Sequence, residues 1–230
     1  MSVFDGLIGL TSGLLAGLAD FVAPIAGPNA AALAIVLFTL AVRLALVPLT
    51  LRAARGERIR QRLAPQVTKL RSRFKHRPER MAKEIRELYA KEGGSPFSGI
   101  LPSLAQAPFF MLLFQTASAP TTHTLFGAPL GAQVASVIGA YGPFGVPVLV
   151  FAAVIGLIAG VAYLSSRRVR LTAVAVEGQP EVMRRIAPLL PYGAVLVALV
   201  MPLAAALYLL TTTAWTAAER ALFYPKPVAA

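Results

Sequence analysis

The 230-residue sequence contains no cysteine, only two histidines and few charged residues. Without cysteine, the chain can form no disulfide bond, thiolate metal site, cysteine nucleophile or lipid anchor on cysteine. Charged residues make up 14% of the chain and hydrophobic residues 57%. A soluble domain has about 25% charged and about 45–50% apolar residues. The composition therefore excludes a chain that is disordered overall and favours a membrane protein.

Several kinds of chemical site are also missing. The sequence has no GxxxxGK motif, so a P-loop nucleotide site is excluded. His76 and His123 are far apart, and two histidines do not supply the four ligands of a structural zinc site. No Ser-His-Asp set can be assembled either. We therefore expect no metal, no cofactor, no nucleotide and no covalent catalysis.

Positive charge is concentrated in one segment. The chain carries a net charge of +12, and residues 52–92 hold 14 Lys or Arg against five Glu, a net +9. Apolar residues recur every three or four positions from Ile59 to Phe74 and again from Met81 to Tyr89. These two stripes predict an antiparallel helical hairpin over residues 52–95. Such a hairpin would set membrane topology, and it could also bind anionic lipid, a ribosome or nucleic acid.

Five apolar segments predict membrane spans. The first, residues 30–51, would form a helix of about 33 Å, enough to cross a hydrocarbon core of about 30 Å. The other four follow the hairpin, at residues 97–117, 144–164, 184–200 and 203–223. The expected fold class is all-α, a polytopic helical membrane protein with a core domain over residues 29–223.

The loops predict an orientation. Residues 1–28 have apolar positions three or four apart and predict an amphipathic helix at the outer membrane surface. A signal peptide is the alternative, but it needs a basic start, and no Lys or Arg precedes Arg43. Because Lys and Arg favour cytoplasmic loops, the hairpin and the 165–185 loop would face the cytoplasm. The uncharged 118–143 loop would lie outside, and the short tail 224–230 inside.

Arg43 is the strongest candidate for a functional residue. In the first predicted span it would lie about 20 Å from the outer end and about 12 Å from the inner end. An arginine at membrane depth costs from about 3 to more than 10 kcal/mol. The predicted spans contain no acidic residue before Glu219, near the inner end of the last. We therefore expect Arg43 to be an unpaired cation in a hydrated cavity. The alternative is an arginine that snorkels and only sets the depth of the helix.

Uncharged polar residues accompany Arg43. Thr39 lies four positions earlier on the same helix face, and Gln106 lies in the second predicted span. Either these residues line one polar interior with Arg43, or they have local roles. In the local alternative, threonine bonds a carbonyl of its own helix and glutamine links helices.

Three segments resemble a known family. The run FTLAVRLALVPL at residues 38–49 resembles the first core span of the YidC/Oxa/Alb membrane protein insertases. The long run ELYAKEGGSPFSGILPSLAQAPFF at residues 87–110 resembles that family's junction between hairpin and second span, and it is the most specific of the three. The run MPLAAALY at residues 201–208 is a weaker likeness to the family's last turn. The resemblance covers nearly the whole chain.

The resemblance implies an insertase without covalent chemistry, which moves short polar segments through a groove open to cytoplasm and lipid. It implies a groove lined by Arg43, Thr39, Gln106 and Tyr208. The implied clients are nascent membrane proteins, with the ribosome, the Sec translocon and anionic lipids as further candidate partners. The hairpin cations that would recruit them are Arg58, Arg62, Lys69, Arg73, Arg80 and Lys83.

The sequence departs from the family pattern at two places. Leu209 follows Tyr208 where an aromatic residue is frequent, and the last turn lacks its usual glycine. A small-solute transporter or channel subunit is the alternative function, although no convincing internal repeat is present. A purely structural subunit with a lipid-binding hairpin is a third.

Overall fold

The computed structural model describes residues 3–93, 111, 123–172 and 181–223. Eight α-helices and two short 3₁₀ segments account for most of these residues. The helices are α1 Val3–Ala26, α2 Ala30–Arg73, α3 Pro78–Lys91, α4 Val134–Tyr141, α5 Val146–Thr172, α6 Glu181–Ile186, α7 Gly193–Val200 and α8 Leu203–Phe223. The 3₁₀ segments are Gly27–Asn29 and Ala187–Tyr192. The predicted all-α class is confirmed.

Helix α2 joins the first predicted span to the first arm of the hairpin without a break. It begins at Ala30, as expected, but continues past residue 51 to Arg73. Pro48 and Pro65 lie inside it, and each removes one backbone N–H from the helical ladder without ending the helix. A 44-residue helix is about 66 Å long, roughly twice the thickness of a hydrocarbon core. Its polar half therefore projects beyond any bilayer that its apolar half spans.

Helix α3 folds back along the polar half of α2. Leu63 on α2 and Tyr89 on α3 are 1% and 5% exposed, and an ion pair joins Arg62 to Glu92. The two predicted apolar stripes are the less exposed faces of the two helices. Burial raises the pKa of the Tyr89 hydroxyl, so this side chain stays neutral at physiological pH.

Helix α1 packs along α2. Its buried positions, Thr11, Leu15 and Val22, follow a helical spacing of four and seven residues. Phe21 and Ile25, beside this buried face, are 81% and 90% exposed. The helix predicted for residues 1–28 is thus present over Val3–Ala26, and large apolar side chains remain exposed on it.

A small β-hairpin precedes α4. Strand β1, Thr124–Leu125, pairs antiparallel with β2, Ala128–Pro129. Phe126 and Gly127 between them both have positive φ, +48° and +85°, as a two-residue type I′ turn requires. Asn29 is the N-cap residue of α2, but its Oδ1 accepts a hydrogen bond of 2.7 Å from the Phe126 N–H and none from α2. The sequence predicts a loop over residues 118–143, so the β-hairpin was not predicted there.

The segment after the β-hairpin covers the start of α8. The Leu203 N–H donates to the Ala132 carbonyl at 3.0 Å, and the Ala204 N–H to the Leu130 carbonyl at 2.9 Å. These bonds satisfy two N–H groups that the first turn of a helix leaves without partners. The apolar core collects around this junction. Its buried members include Ile35, Ala128, Leu130, Phe151, Val154, Ile158, Ala198, Leu203 and Ala206.

Helices α2 and α8 run parallel to each other. Asn29, just before α2, bonds to the β-hairpin, and the start of α8 bonds to the segment that follows it. At the opposite end, the Arg58 Nη2 donates to the carbonyl of Phe223, the last residue of α8, at 3.3 Å. Residues at equal distances from the two helix starts therefore lie at similar depths.

The remaining predicted spans differ in their outcome. The last, residues 203–223, coincides with α8, and α5 extends the third by eight residues to Thr172. The fourth, residues 184–200, is not one α-helix, because Pro188 and Pro191 fall in a 3₁₀ segment between α6 and α7. The second, residues 97–117, lies outside the described residues except for helical Met111.

The surface of the helices is rich in large apolar side chains. Leu157 and Leu164 on α5, and Leu196 and Val200 on α7, are 59%, 60%, 67% and 67% exposed. Within the described residues, the helical stretches Gly9–Arg73 and Val146–Leu171 are long and apolar enough to cross a membrane. A contiguous apolar surface of this kind is one that a bilayer would cover.

Candidate functional site

Polar residues at the contact between α2 and α8 form the candidate site. On α2, Thr39 and Arg43 are one turn apart and only 2% and 7% exposed. The facing residues recur every three or four positions on α8, which places them on one side of that helix. They are Tyr208, Thr212, Thr216 and Glu219.

The Arg43 guanidinium is held by three groups of α8. Its Nη2 donates to the Thr212 carbonyl at 3.0 Å and to the Thr216 Oγ1 at 2.9 Å. Its Nη1 lies 3.8 Å from the Glu219 Oε2, and both charged side chains are more than nine-tenths buried. The Thr216 hydroxyl in turn donates to the Thr212 carbonyl at 2.9 Å.

The expectation that Arg43 is unpaired is wrong. Its counter-ion is Glu219, which lies 176 positions away in the sequence. Arg43 is 13 residues from the start of α2 and Glu219 is 16 residues from the start of α8. At about 1.5 Å per residue, these distances are about 20 Å and about 24 Å. Since the two helices run parallel from the same end, these depths bring the charges together. Counting residues from the starts of the two predicted spans would have placed both charges at similar depths and so identified the pair from the sequence.

The pair is electrically matched but only partly hydrogen-bonded. A distance of 3.8 Å between Nη1 and Oε2 is an ion pair and not a hydrogen bond. Among the described residues, no hydrogen-bond partner reaches the Arg43 Nε, the Glu219 Oε1 or the indole Nε1 of Trp215, although all three atoms are buried. Two donors and one acceptor are therefore available between these helices for another polar group.

The other three predicted groove residues, Thr39, Tyr208 and Gln106, differ in whether the structure places them near Arg43. The Thr39 hydroxyl donates to the Ile35 carbonyl of its own helix at 2.7 Å, as the local alternative expected. Tyr208 is 5% exposed and interacts electrostatically with Arg43. The structure thus brings Arg43 and Tyr208 together and places Thr39 one turn away. Gln106 lies outside the described residues.

A cavity of about 460 Å³ opens on the other side of Thr216, between α5, the second 3₁₀ segment and α8. Most of its lining is apolar, but it also contains Ser165, Thr213, Thr216 and Arg220. Thr216 both lines this cavity and bonds Arg43. Within the described ranges, no three His, Asp or Glu side chains are grouped so that they could hold a metal ion.

Comparison with known proteins identifies the family. The sequence model of the 60Kd inner membrane protein family matches residues 21–228. The chain belongs to the 60Kd inner membrane protein family. This match confirms the resemblance found in the sequence, and it makes the chain a membrane protein. The matched range contains all of α2 to α8, and with them Arg43 and Glu219.

Relatives of this family member carry the name membrane protein insertase YidC. One from Streptomyces avermitilis is 34% identical over 119 residues, covering 44% of this chain and 28% of the relative. One from Granulibacter bethesdensis is 42% identical over 82 residues, 36% of this chain and 14% of the relative. One from Clostridium perfringens is 38% identical over 80 residues, 35% of this chain and 34% of the relative. The chain thus matches about a third or less of the length of each.

In this 60Kd family member, α3 and the polar half of α2 form a basic arm. Several of its cationic side chains already contact other residues of the chain. Besides Arg58 and Arg62, which bond α8 and α3, Arg73 and Arg80 lie 5.5 and 5.6 Å from the centroid of the Phe74 ring. The Lys83 ammonium lies 4.0 Å from the Glu87 carboxylate. The Lys69 side chain is exposed. These contacts are at the surface, where ion pairs contribute little to stability.

Proposed function

We propose that this chain is a membrane protein insertase that moves short polar segments of nascent membrane proteins across the bilayer and works without covalent chemistry. Family membership and the name of its relatives support this function. The single observation that carries it is Arg43, a cation 7% exposed between α2 and α8 whose Nε has no hydrogen-bond partner among the described residues. A membrane helix that carries a buried charge usually does so for a function.

The polar layer between α2 and α8 consists of Arg43, Thr212, Thr216, Glu219 and the indole N–H of Trp215. It would lower the free-energy barrier for moving a polar segment across the bilayer. Such a segment loses its water on entering the bilayer, and each polar group left without a hydrogen bond then costs roughly several kcal/mol. The Arg43 Nε, the Trp215 Nε1 and the Glu219 Oε1 could replace part of that solvation. Arg43 would attract acidic groups, and the apolar flanks of the segment would leave sideways into lipid.

Packing at the start of α8 supports a groove that is closed on one side. There Leu203 and Ala206 are completely buried, and the loop after β2 bonds the first turn of the helix. In the proposed orientation this end faces outside, and the polar layer lies deeper, towards the cytoplasm. A one-sided polar site of this kind suits insertion better than solute transport, which needs access from both sides.

The proposed topology has five spans, with the N-terminal helix outside and the C-terminus in the cytoplasm. Since the native chain has no cysteine, single cysteines can report each side cleanly. Cysteines at Ser12 and Thr122 should react with an impermeant reagent in intact cells, and one at Ser72 should not. Labelling of position 72 from outside would contradict the orientation.

The arm formed by α3 and the polar half of α2 is proposed to recruit partners on the cytoplasmic side. Its net charge of +9 suits anionic lipid or ribosomal RNA, and the Sec translocon is a further candidate partner. Replacing Lys69 and Lys83 by Gln should weaken binding to vesicles that contain anionic lipid. Unchanged binding to such vesicles would exclude these lysines from the contact.

The insertase function is tested in cells depleted of their own insertase, with two matched single-span substrates. The translocated segment is acidic in one and neutral in the other. The wild-type chain should restore insertion of both, and Arg43→Lys should retain most of it because the charge remains. Arg43→Ala combined with Glu219→Gln removes both buried charges. This double variant should reduce insertion of the acidic substrate more strongly than insertion of the neutral one.

Arg170→Ala is the matched control, since Arg170 is exposed on α5. It should leave both substrates unaffected. Failure of the wild-type chain to restore either substrate would overturn the insertase proposal. Equal loss of both substrates in the double variant would remove the attraction mechanism and leave hydration as the contribution of the site.

A further inference from the structure

Glu219 is the acidic side chain that the structure brings to Arg43. It lies four turns into α8, is 6% exposed and has its Oε2 3.8 Å from the Arg43 Nη1. A carboxylate at this depth is as costly to bury as the arginine unless the two neutralise each other. The pair therefore leaves the space between α2 and α8 with little net charge before any segment enters.

The geometry of the pair makes it open to competition. Arg43 gives its two short hydrogen bonds to Thr212 and Thr216 and none to Glu219. Its Nε and the Glu219 Oε1 remain without partners among the described residues. A bidentate, fully bonded arginine–carboxylate pair would be hard to displace, because both of its oxygens would be satisfied. Here a second carboxylate could bond the Nε directly without first breaking a hydrogen bond.

We propose that Glu219 is a specificity-determining counter-ion, which competes with acidic groups of the translocated segment for Arg43. This inference rests on the insertase function proposed above. When Glu219 is charged, an acidic segment must share Arg43 with it, and a neutral segment meets a neutral site. Glu219 thus limits the preference for acidic segments that Arg43 alone would impose, and it keeps the site usable for neutral and basic ones.

The test uses the purified full-length chain in vesicles of zwitterionic lipid, with three matched single-span substrates. Their translocated segments differ only in carrying two Asp, two Asn or two Lys residues. Insertion is measured as protease protection of the segment, and the readout is the ratio of acidic to neutral insertion. Glu219→Gln should raise this ratio about fivefold, a size typical of partly screened charge pairs, and should lower the basic-to-neutral ratio.

Two further variants sharpen the test. Glu219→Asp keeps the charge but withdraws it by one methylene, so its ratio should lie between those of the wild type and Glu219→Gln. Glu79→Gln makes the same charge change on the exposed surface of α3 and should leave the ratio unchanged. Thermal unfolding of each variant shows which are folded, and if Glu219→Gln is not, Glu219→Asp decides.

Each outcome has a clear meaning. An acidic-to-neutral ratio that is the same in the wild type, Glu219→Asp and any folded Glu219→Gln would overturn the counter-ion proposal. An equal rise in Glu79→Gln would also overturn it, because the effect would then come from overall charge. If the wild-type chain inserts none of the three substrates, the insertase function itself fails, which is a distinguishable result.

Discussion

The two ends of the contact between α2 and α8 are built on different chemistry. Near the helix starts, both helices bury small apolar residues on the faces that carry the polar residues further along, Ala32 on α2 and Ala204 on α8. Small side chains let two helices approach closely in a membrane, where van der Waals packing is a main source of association. About three turns further on, the same two helices bury an ion pair, threonine hydroxyls and an indole N–H.

The difference shows how one helix pair can be both a scaffold and a site. At the small-residue end, backbone carbonyls of the loop after β2 satisfy two N–H groups in the first turn of α8. The polar layer keeps three buried atoms without partners among the described residues. Unsatisfied groups in a buried layer cost stability and are kept where a function uses them. We expect the packed end to hold the register that keeps Arg43 opposite Glu219.

The largest expected effect comes from breaking the ion pair on one side only. Arg43→Ala leaves Glu219 buried without its counter-ion, which should cost about 3–5 kcal/mol of unfolding free energy. Arg43→Ala combined with Glu219→Gln removes both charges and should recover most of that loss. Denaturant unfolding of the chain in detergent measures both. If the single and double variants are equally unstable, the pair does not contribute as proposed.

Overpacking the small-residue end should have the next largest effect. Ala206 is completely buried, so Ala206→Leu would force α8 away from its neighbours at a cost of about 1–3 kcal/mol. Ala214→Leu makes the same change at an exposed position of the same helix and serves as the control. Thermal unfolding in detergent compares them. Equal melting temperatures for the two variants would mean that close packing is not required there.

Removing the bond between Asn29 and the β-hairpin should have a smaller effect. Asn29→Ala leaves the Phe126 N–H without its acceptor and should cost about 1 kcal/mol. Asn29→Asp keeps an oxygen acceptor and should stay close to the wild type. The rate of proteolysis in the 123–133 loop reports the difference. Faster cleavage in the Asp variant than in the Ala variant would contradict the bond's role.

The smallest effect is a dependence on pH in the arm formed by α3 and the polar half of α2. Burial raises the pKa of Tyr89, so its packing contributes fully below the unfolded pKa of about 10 and is lost as pH rises beyond it. Amide exchange in α3 should therefore speed up above that pH in the wild type more than in Tyr89→Phe. The phenylalanine variant also controls for lysine deprotonation, which affects both proteins. Identical profiles would show that Tyr89 is not ionised in this range.

Local patterns predicted much of the secondary structure. Helix α8 coincides with its predicted span, α2 begins where expected, and the apolar stripes of the arm are the faces that pack. These features follow from the 3.6-residue helical period, which can be recognised in residues close together in the sequence. The break at residues 187–192 was missed. Two prolines mark it in the sequence, but the apolar run around them was long enough to be interpreted as one span.

The amino-acid sequence was sufficient to predict the membrane class, the basic arm and the buried position of Arg43. Each depends on composition or on spacing along one helix. The folded structure was needed to show that Glu219 pairs with Arg43, that Asn29 bonds Phe126 and that the 130–132 segment caps α8. Those contacts join residues 71 to 176 positions apart, and they depend on which helices lie side by side and in what register. Helix periodicity sets which face a residue occupies, but the neighbour of that face follows from the packing of the whole bundle.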